Sequence, residues 1–358
     1  MSKSRWGNQL RTAFQRSYQE KISRWENRLA NGGGQRVVRP FDWGLEWTDG
    51  WPCAVPVTSD GLDPAHHLNR LNRAAVEHSD EFFAYRTPSD FQLDGRLLRF
   101  TSPVATPHPE NNVAHAQWFP VSGQSRRAVI VLPHWNAQSH QHAGLCRILS
   151  LLGLPALRVS LPYHDFRLLA GMERADYAVS PNVSRTVDAG RQAVIDTRCC
   201  LDWLQAQGYE KFGIVGTSLG SCYAFLTSAH DARLQVNVFN LFSLYFADVV
   251  WYGLSTRHVR QGLEGHVELE QLRQSWAAIT PLSYMDQFAR FPKRSLLLSA
   301  AYDTTFYPQF SEAMLEEIRR RNLPHETAVL PCGHYTLART PFQLLDAWHI
   351  CSFLKRWL

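Results

Sequence analysis

Short, continuous apolar runs separated by longer amphipathic stretches dominate the chain from about residue 97 to its end. Leu97 to Phe100 and Ala114 to Phe119 read as two opening antiparallel strands, joined by a Pro- and Asn-containing loop at Thr106 to Asn112. Arg127 to Leu132, Pro155 to Val159, Phe212 to Val215, Leu234 to Phe239 and Arg294 to Ala301 follow as compact apolar runs, the pattern of strands buried on both faces. His325 to Leu330 reads as a short last strand. Helical patterns stand between them: one from about His140, one from about Thr186 to Gln207, and one carrying Phe310, Met314, Leu315 and Ile318. Strands alternating with helices predict an α/β fold with a mostly parallel, doubly wound sheet. No internal repeat interrupts the pattern.

The first third reads differently. Trp6, Leu10, Phe14, Tyr18, Ile22, Trp25 and Leu29 recur at helical spacing. Each step of four residues winds such a stripe by about 40°. A winding stripe suits a helix wrapped on its own domain or on a second subunit better than one lying flat on a membrane. Asn31-Gly32-Gly33-Gly34 ends the helix, and an irregular stretch with Pro40, Pro52, Pro56 and Pro64 runs on to about Gly95, broken by short helices around Ala65 to Glu81. The expected organisation is therefore an N-terminal helix and wrapping extension over 1–95 and an α/β domain over 96–358. Within that domain, about 242–291 reads as an inserted helical cap.

Chemistry concentrates at Lys211 to Phe225, KFGIVGTSLGSCYAF. An apolar strand enters Gly216-Thr217-Ser218-Leu219-Gly220, and a helical pattern follows. A serine on such a strand-to-helix turn is held in a strained backbone conformation, so the flanking positions must lack bulk. Gly216 and Gly220 meet that demand and leave the Ser218 hydroxyl at the tip. A hydroxyl becomes a nucleophile when an imidazole takes its proton and a carboxylate orients that imidazole. Tyr302-Asp303-Thr304 follows the strand ending at Ala301, and His334 lies in the loop Pro331-Cys332-Gly333-His334-Tyr335 after the last strand. Both fall where the carboxyl edge of a parallel sheet is expected.

With Gly216-Thr-Ser-Leu-Gly220, Asp303 and Gly333-His334 in this order, the chain from about Leu97 to Leu358 resembles the α/β-hydrolase superfamily, in particular its serine esterases and lipases. The resemblance implies a Ser218–His334–Asp303 triad, no cofactor and no metal. It also implies an oxyanion hole formed by the N–H of Leu219 and a donor from the loop after Arg127 to Leu132. That loop reads Pro133-His134-Trp135-Asn136, and Trp135 stands where the family has glycine. Asn136 is the expected donor, with Trp135 as the alternative, while the Trp135 side chain either lines the pocket or packs into the core. Tyr163 and His164, at the carboxyl edge, and the cap aromatics Tyr245 and Trp251 are candidate substrate-binding residues. The cap aromatics serve equally well as a small core. The implied reaction is carboxylic ester hydrolysis through an acyl-enzyme. An acyltransferase or a peptidase using the same triad, or a non-catalytic scaffold, remains an alternative.

Composition narrows the remaining classes. The chain has 358 residues, 45% hydrophobic and 19% charged, which suits a globular protein with a large core. Its net charge of +5 is carried by residues 1–30, where Lys3, Arg5, Arg11, Arg16, Lys21, Arg24 and Arg28 face Glu20 and Glu26. The remainder is near neutral, so a nucleic-acid partner is not expected. A small-molecule ester is the expected ligand, and the basic helix is a candidate homo-oligomer contact. No run reaches the ~18 apolar residues of a membrane span, and no apolar leader follows the basic N-terminus. Seven cysteines at irregular spacing read as reduced, buried thiols of a cytoplasmic protein. Cys332 is the one nearest the chemistry. His134, His140 and His142 cluster without acidic or thiol companions, so a metal is not expected there.

Overall fold

The computed structural model describes residues 3–32, 36–52 and 63–358, with side chains of the first helix described from residue 16 onward. Nine strands make one sheet: β1 Gln92–Asp94, β2 Leu97–Thr101, β3 Val113–Phe119, β4 Arg127–Leu132, β5 Ala156–Val159, β6 Lys211–Thr217, β7 Leu234–Asn240, β8 Arg294–Ala300 and β9 His325–Leu330. Their order is β1-β2-β3-β5-β4-β6-β7-β8-β9. The pairs from β1 to β3, and β3 with β5, are antiparallel; from β5 through β9 every pair is parallel. The eight expected strands are present, with ends moved by a residue or two. β1 lies in the stretch read as irregular. Its three residues are all exposed, so no apolar alternation marks it in the sequence.

Alternation along β4 divides the core. Val129 and Val131 face one side, with Ala143, Cys146 and Leu149 of the helix Ala143–Leu151 and Ile350, Phe353 and Leu354 of the helix Phe342–Trp357. Ile130 and Leu132 face the other, with Val187, Val194 and Leu201 of the helix Val183–Ala206 and Phe225 of the helix Leu219–Ala229. Each such fully buried aliphatic side chain contributes about 1.5–3 kcal/mol. Two apolar faces explain why the central strands read as unbroken apolar runs. The helix Val183–Ala206 starts at Asn182, whose side chain accepts from the N–H of Arg185 at 3.0 Å.

The extension is built into this core. Trp51, Leu68, Leu71, Phe82 and Phe83 join the same cluster as Ile130, and the Trp51 indole donates to Asp188 at 3.2 Å. The N-terminal helix Lys3–Asn31 buries Ile22 against Leu330, Cys332, Leu337 and Phe342, with Tyr18 and Trp25 at the edge of that cluster. In its described part the stripe thus packs on its own chain. The side chains of Trp6, Leu10 and Phe14, and residues Gly33, Gly34, Cys53 and Pro56, lie outside the described residues. The insertion is helical, at Phe246–Tyr252, Arg257–Leu263, Leu269–Ser275 and Met285–Ala289. Its Phe242, Phe246, Trp276 and Tyr284 are buried in the core shared with the sheet. Among the described residues no helix is long and apolar enough to cross a membrane.

Candidate active site

The chain leaves β4 for β5 on one side and returns to β6 on the other. The carboxyl ends of β4 and β6 therefore flank a topological switch point, where open α/β sheets bind ligands. Ser218 sits there, at the turn between β6 and the helix Leu219–Ala229, with φ 56° and ψ −119°. Such a conformation is costly for a residue with a Cβ and persists only where its surroundings impose it. The Ser218 N–H donates to the Asn240 carbonyl at 2.8 Å, and the Ser218 carbonyl accepts from the Ser221 N–H at 2.8 Å. Both flanking glycines are required by contact. A Cβ on Gly216 would lie 2.2 Å from the Gly220 carbonyl oxygen, and one on Gly220 would lie 2.4 Å from that of Leu132. The second contact also presses the turn against the start of the loop Pro133–Asn136.

Ser218 Oγ lies 3.3 Å from Nε2 of His334, and His334 Nδ1 lies 3.1 Å from Oδ2 of Asp303. The other Asp303 oxygen accepts the N–H groups of Thr305 and Phe306, each at 2.7 Å, which fixes the carboxylate. With Nδ1–H directed to Asp303, the Nε2 lone pair faces the serine hydroxyl. The Phe306 ring stacks on the imidazole at 5.6 Å with 2° between the planes. Burial disfavours the imidazolium, but Asp303, by charge and hydrogen bond, and Glu26 outweigh it and raise the His334 pKa above its ordinary value. The arrangement can deliver a deprotonated oxygen to an electrophile and hold the proton it gives up.

Leu219 opens the helix Leu219–Ala229, so its N–H belongs to the first turn, which has no partner within the helix. In the facing loop, Asn136 adopts φ 61° and its side-chain oxygen accepts from the Ala175 N–H at 2.7 Å. The Trp135 indole donates to the Ala175 carbonyl at 2.9 Å, and its ring stacks on His258 of the insertion at 5.5 Å. The Arg174 guanidinium lies 5.6 Å from the same ring centre. Trp135 is housed between the Arg174–Ala175 stretch and the insertion, half-buried against the core. His134 lies close enough to feel the charge of His334, and its own pKa is pushed down to about 4, by burial first and then by His334 and Arg158.

The remaining candidates are spread more widely. Tyr163 is buried, takes φ 64°, and packs with Ala175, Ala178 and Tyr177. His164 is buried beside it, within bonding distance of the Pro162 carbonyl at 2.8 Å, and burial pushes its pKa down to about 3. The Tyr245 ring is covered by Arg273 and that of Trp251 by Arg260. Among the described residues, no hydrogen bond or ring contact joins these four to the side chains of Ser218, His334 or Asp303. Nor do any three His, Cys, Asp or Glu side chains form a group able to hold a metal. Cys332 is fully buried. Burial, then the charges of Asp303, Asp346 and Glu26, raise its thiol pKa, which keeps it protonated.

Two carboxylates escaped the sequence reading. Glu26 lies buried under the His334 loop, and Asp346 meets the Asn240 amide at 3.0 and 3.1 Å behind the Ser218 turn. Glu26 shares its helix with many charged residues and Asp346 is the lone acid of its own, and in both cases only tertiary packing shows the role.

No protein-family model matches the chain, and no curated protein matches it in sequence. Solved structures do match. Acetyl xylan esterase 1 from Thermoanaerobacterium sp. is similar at TM-score 0.58 and 13% identity, covering 87% of this chain and 99% of that one. An esterase from Pyrococcus furiosus is similar at TM-score 0.51 and 16% identity, over 77% and 94%. The Pyrococcus horikoshii acylaminoacyl peptidase gives TM-score 0.54 and 12% identity, over 77% of this chain but 42% of its own. The chain has the α/β-hydrolase fold. Within that fold the Ser218 turn, the Asp303 loop and the His334 loop occupy one edge, after β6, β8 and β9.

Proposed function

We propose that this α/β-hydrolase-fold protein is a serine hydrolase acting on carboxylic esters. The observation that carries the proposal is the continuous Ser218–His334–Asp303 hydrogen-bonded chain, with the serine on a strained turn. The esterases among its structural neighbours support ester over amide chemistry. The match to the peptidase spans less than half of that chain and adds no argument for a peptidase.

In this reading Ser218 Oγ attacks the ester carbonyl carbon as His334 Nε2 takes its proton. Asp303 holds the ring and stabilises the imidazolium. The tetrahedral oxyanion is received by the N–H of Leu219 and that of Asn136, whose φ of 61° orients the loop, with Trp135 as the alternative donor. Each donor supplies roughly 3–4 kcal/mol of barrier lowering. His334 then protonates the leaving alcohol, and water repeats the sequence on the acyl-enzyme. The six described cysteines are unpaired and buried, which supports a reducing compartment such as the cytoplasm.

The test is hydrolysis of p-nitrophenyl esters from acetate to palmitate by the wild type and by Ser218→Ala. Turnover abolished by the substitution supports the assignment. Turnover that survives it, or none on any ester, overturns it.

A further inference from the structure

The residue that ties the two triad loops together comes from outside the sheet domain. Glu26, on the helix Lys3–Asn31, is fully buried. One of its oxygens accepts the Thr336 N–H at 2.7 Å; the other accepts the Tyr335 N–H at 3.0 Å and the Thr304 hydroxyl at 3.4 Å. Tyr335 and Thr336 directly follow His334, and Thr304 directly follows Asp303. The carboxylate therefore caps the short turn Thr336–Ala338 and bridges the base loop to the acid loop. Gly333 is required for the approach: a Cβ there would lie 2.4 Å from the Glu26 carboxyl carbon.

The helix that carries Glu26 is itself fastened to the same loops. Tyr18 donates its hydroxyl to the Pro331 carbonyl at 2.6 Å. Ile22 packs on Leu330, Cys332 and Phe306. Beyond the end of the helix, Arg36 donates to the Ala30 carbonyl at 2.9 Å and to the Tyr335 hydroxyl at 2.8 Å. Burying a carboxylate costs several kcal/mol unless it is paired or well hydrogen-bonded. A neutral side chain would serve packing alone, so the charge itself calls for a role.

Resting on the serine hydrolase reading, we propose that Glu26 is a positioning residue for His334: it holds the histidine loop against the Asp303 loop and places a second carboxylate beneath the imidazolium. The charged and titratable groups facing His334 are Asp303 from the loop after β8, Glu26 from the N-terminal helix, His134 from the loop after β4, and Tyr335 from its own loop, with Cys332 two residues before it in sequence. Asp303 and Glu26 are the two that favour the charged ring, and both raise its pKa against the opposing effect of burial.

The experiment compares Glu26→Gln, Glu26→Asp and Ser218→Ala with the wild type, using p-nitrophenyl acetate across pH 5–9. Glutamine keeps an acceptor but loses the charge. The expected result is a kcat about tenfold lower with unchanged KM, and an acid limb of kcat/KM moved to lower pH by roughly 0.5–1 unit. Aspartate keeps the charge on a shorter reach; its acid limb stays near the wild-type position while kcat falls. A Glu26→Gln profile that superimposes on the wild type overturns the proposal while leaving the hydrolase reading intact. Should Glu26→Gln fail to fold, Glu26→Asp decides, and an unchanged kcat there overturns the proposal. No serine-dependent turnover in the wild type overturns both.

Discussion

Ser218 Oγ and His334 Nε2, 116 residues apart in the chain, stand 3.3 Å from each other in the folded protein. In the proposed mechanism that contact makes the ionisation of one imidazole the gate for attack by Ser218. His334 has a raised pKa: burial opposes its charge, but Asp303 and Glu26 outweigh burial. A protonated imidazole cannot accept the serine proton, so activity is lost as pH falls through the His334 value. Because that value is raised, the midpoint of the acid limb of kcat/KM is expected above the ordinary histidine value of about 6.5. A pH–rate profile on a soluble ester measures it, and a midpoint below 6.5 contradicts the electrostatic account.

The glycines around Ser218 make a second prediction. A methyl group on Gly216 would press on the Gly220 carbonyl at 2.2 Å and on the Ala224 Cβ at 2.7 Å. Both neighbours belong to the helix Leu219–Ala229, one of them as backbone, so no flexible side chain is there to yield. Gly216→Ala is expected to lower stability by roughly 1–3 kcal/mol and to displace Ser218 from His334, lowering kcat at least a hundredfold. Thermal melting and ester turnover check the two effects, and a variant with wild-type kcat contradicts the turn's proposed role.

Asp346 supplies a third. Burial raises its carboxyl pKa to about 7, partly offset by the hydrogen bond from Asn240. In the unfolded chain the group ionises near its ordinary value, so folding binds a proton between that value and about 7. Stability on this account is fully present at low pH and declines as pH rises through that window. Asp346→Asn keeps a side-chain acceptor for the Asn240 amide and removes the half-buried charge. Its melting temperature is expected to exceed the wild type's at pH 8, by an amount corresponding to about 1–3 kcal/mol, and to approach it near pH 4. Equal melting curves at pH 8 contradict the assignment.

How far the sequence reaches can be judged residue by residue. β4, β6, β7 and β8 are apolar on both faces, so their runs are legible without any tertiary knowledge. Ser218, Asp303 and His334 are legible because each stands within a few residues of the end of a readable strand, and parallel strands bring their carboxyl ends to one edge. β1 escapes because an exposed three-residue edge strand has no buried face to create a pattern. Glu26 escapes for a related reason. It shares its helix with Glu20 and seven basic residues, and nothing local separates the buried carboxylate from the solvated one. The insertion's aromatics read equally as a roof or a core, and packing resolves Phe246, Trp276 and Tyr284 in favour of the core. The substitution of Trp135 for glycine becomes intelligible only with its partners, since His258 and Arg174 come from segments distant in the chain.

The most direct test of the central claim is covalent. A fluorophosphonate reacts with a serine hydroxyl only where a neighbouring base activates it. After incubation with excess probe, the predicted result is one adduct per chain, on the peptide containing Ser218, absent in His334→Ala under the same conditions. Labelling that persists in His334→Ala, or a Ser218 peptide left unmodified in the folded wild type, would contradict an activated serine in this protein.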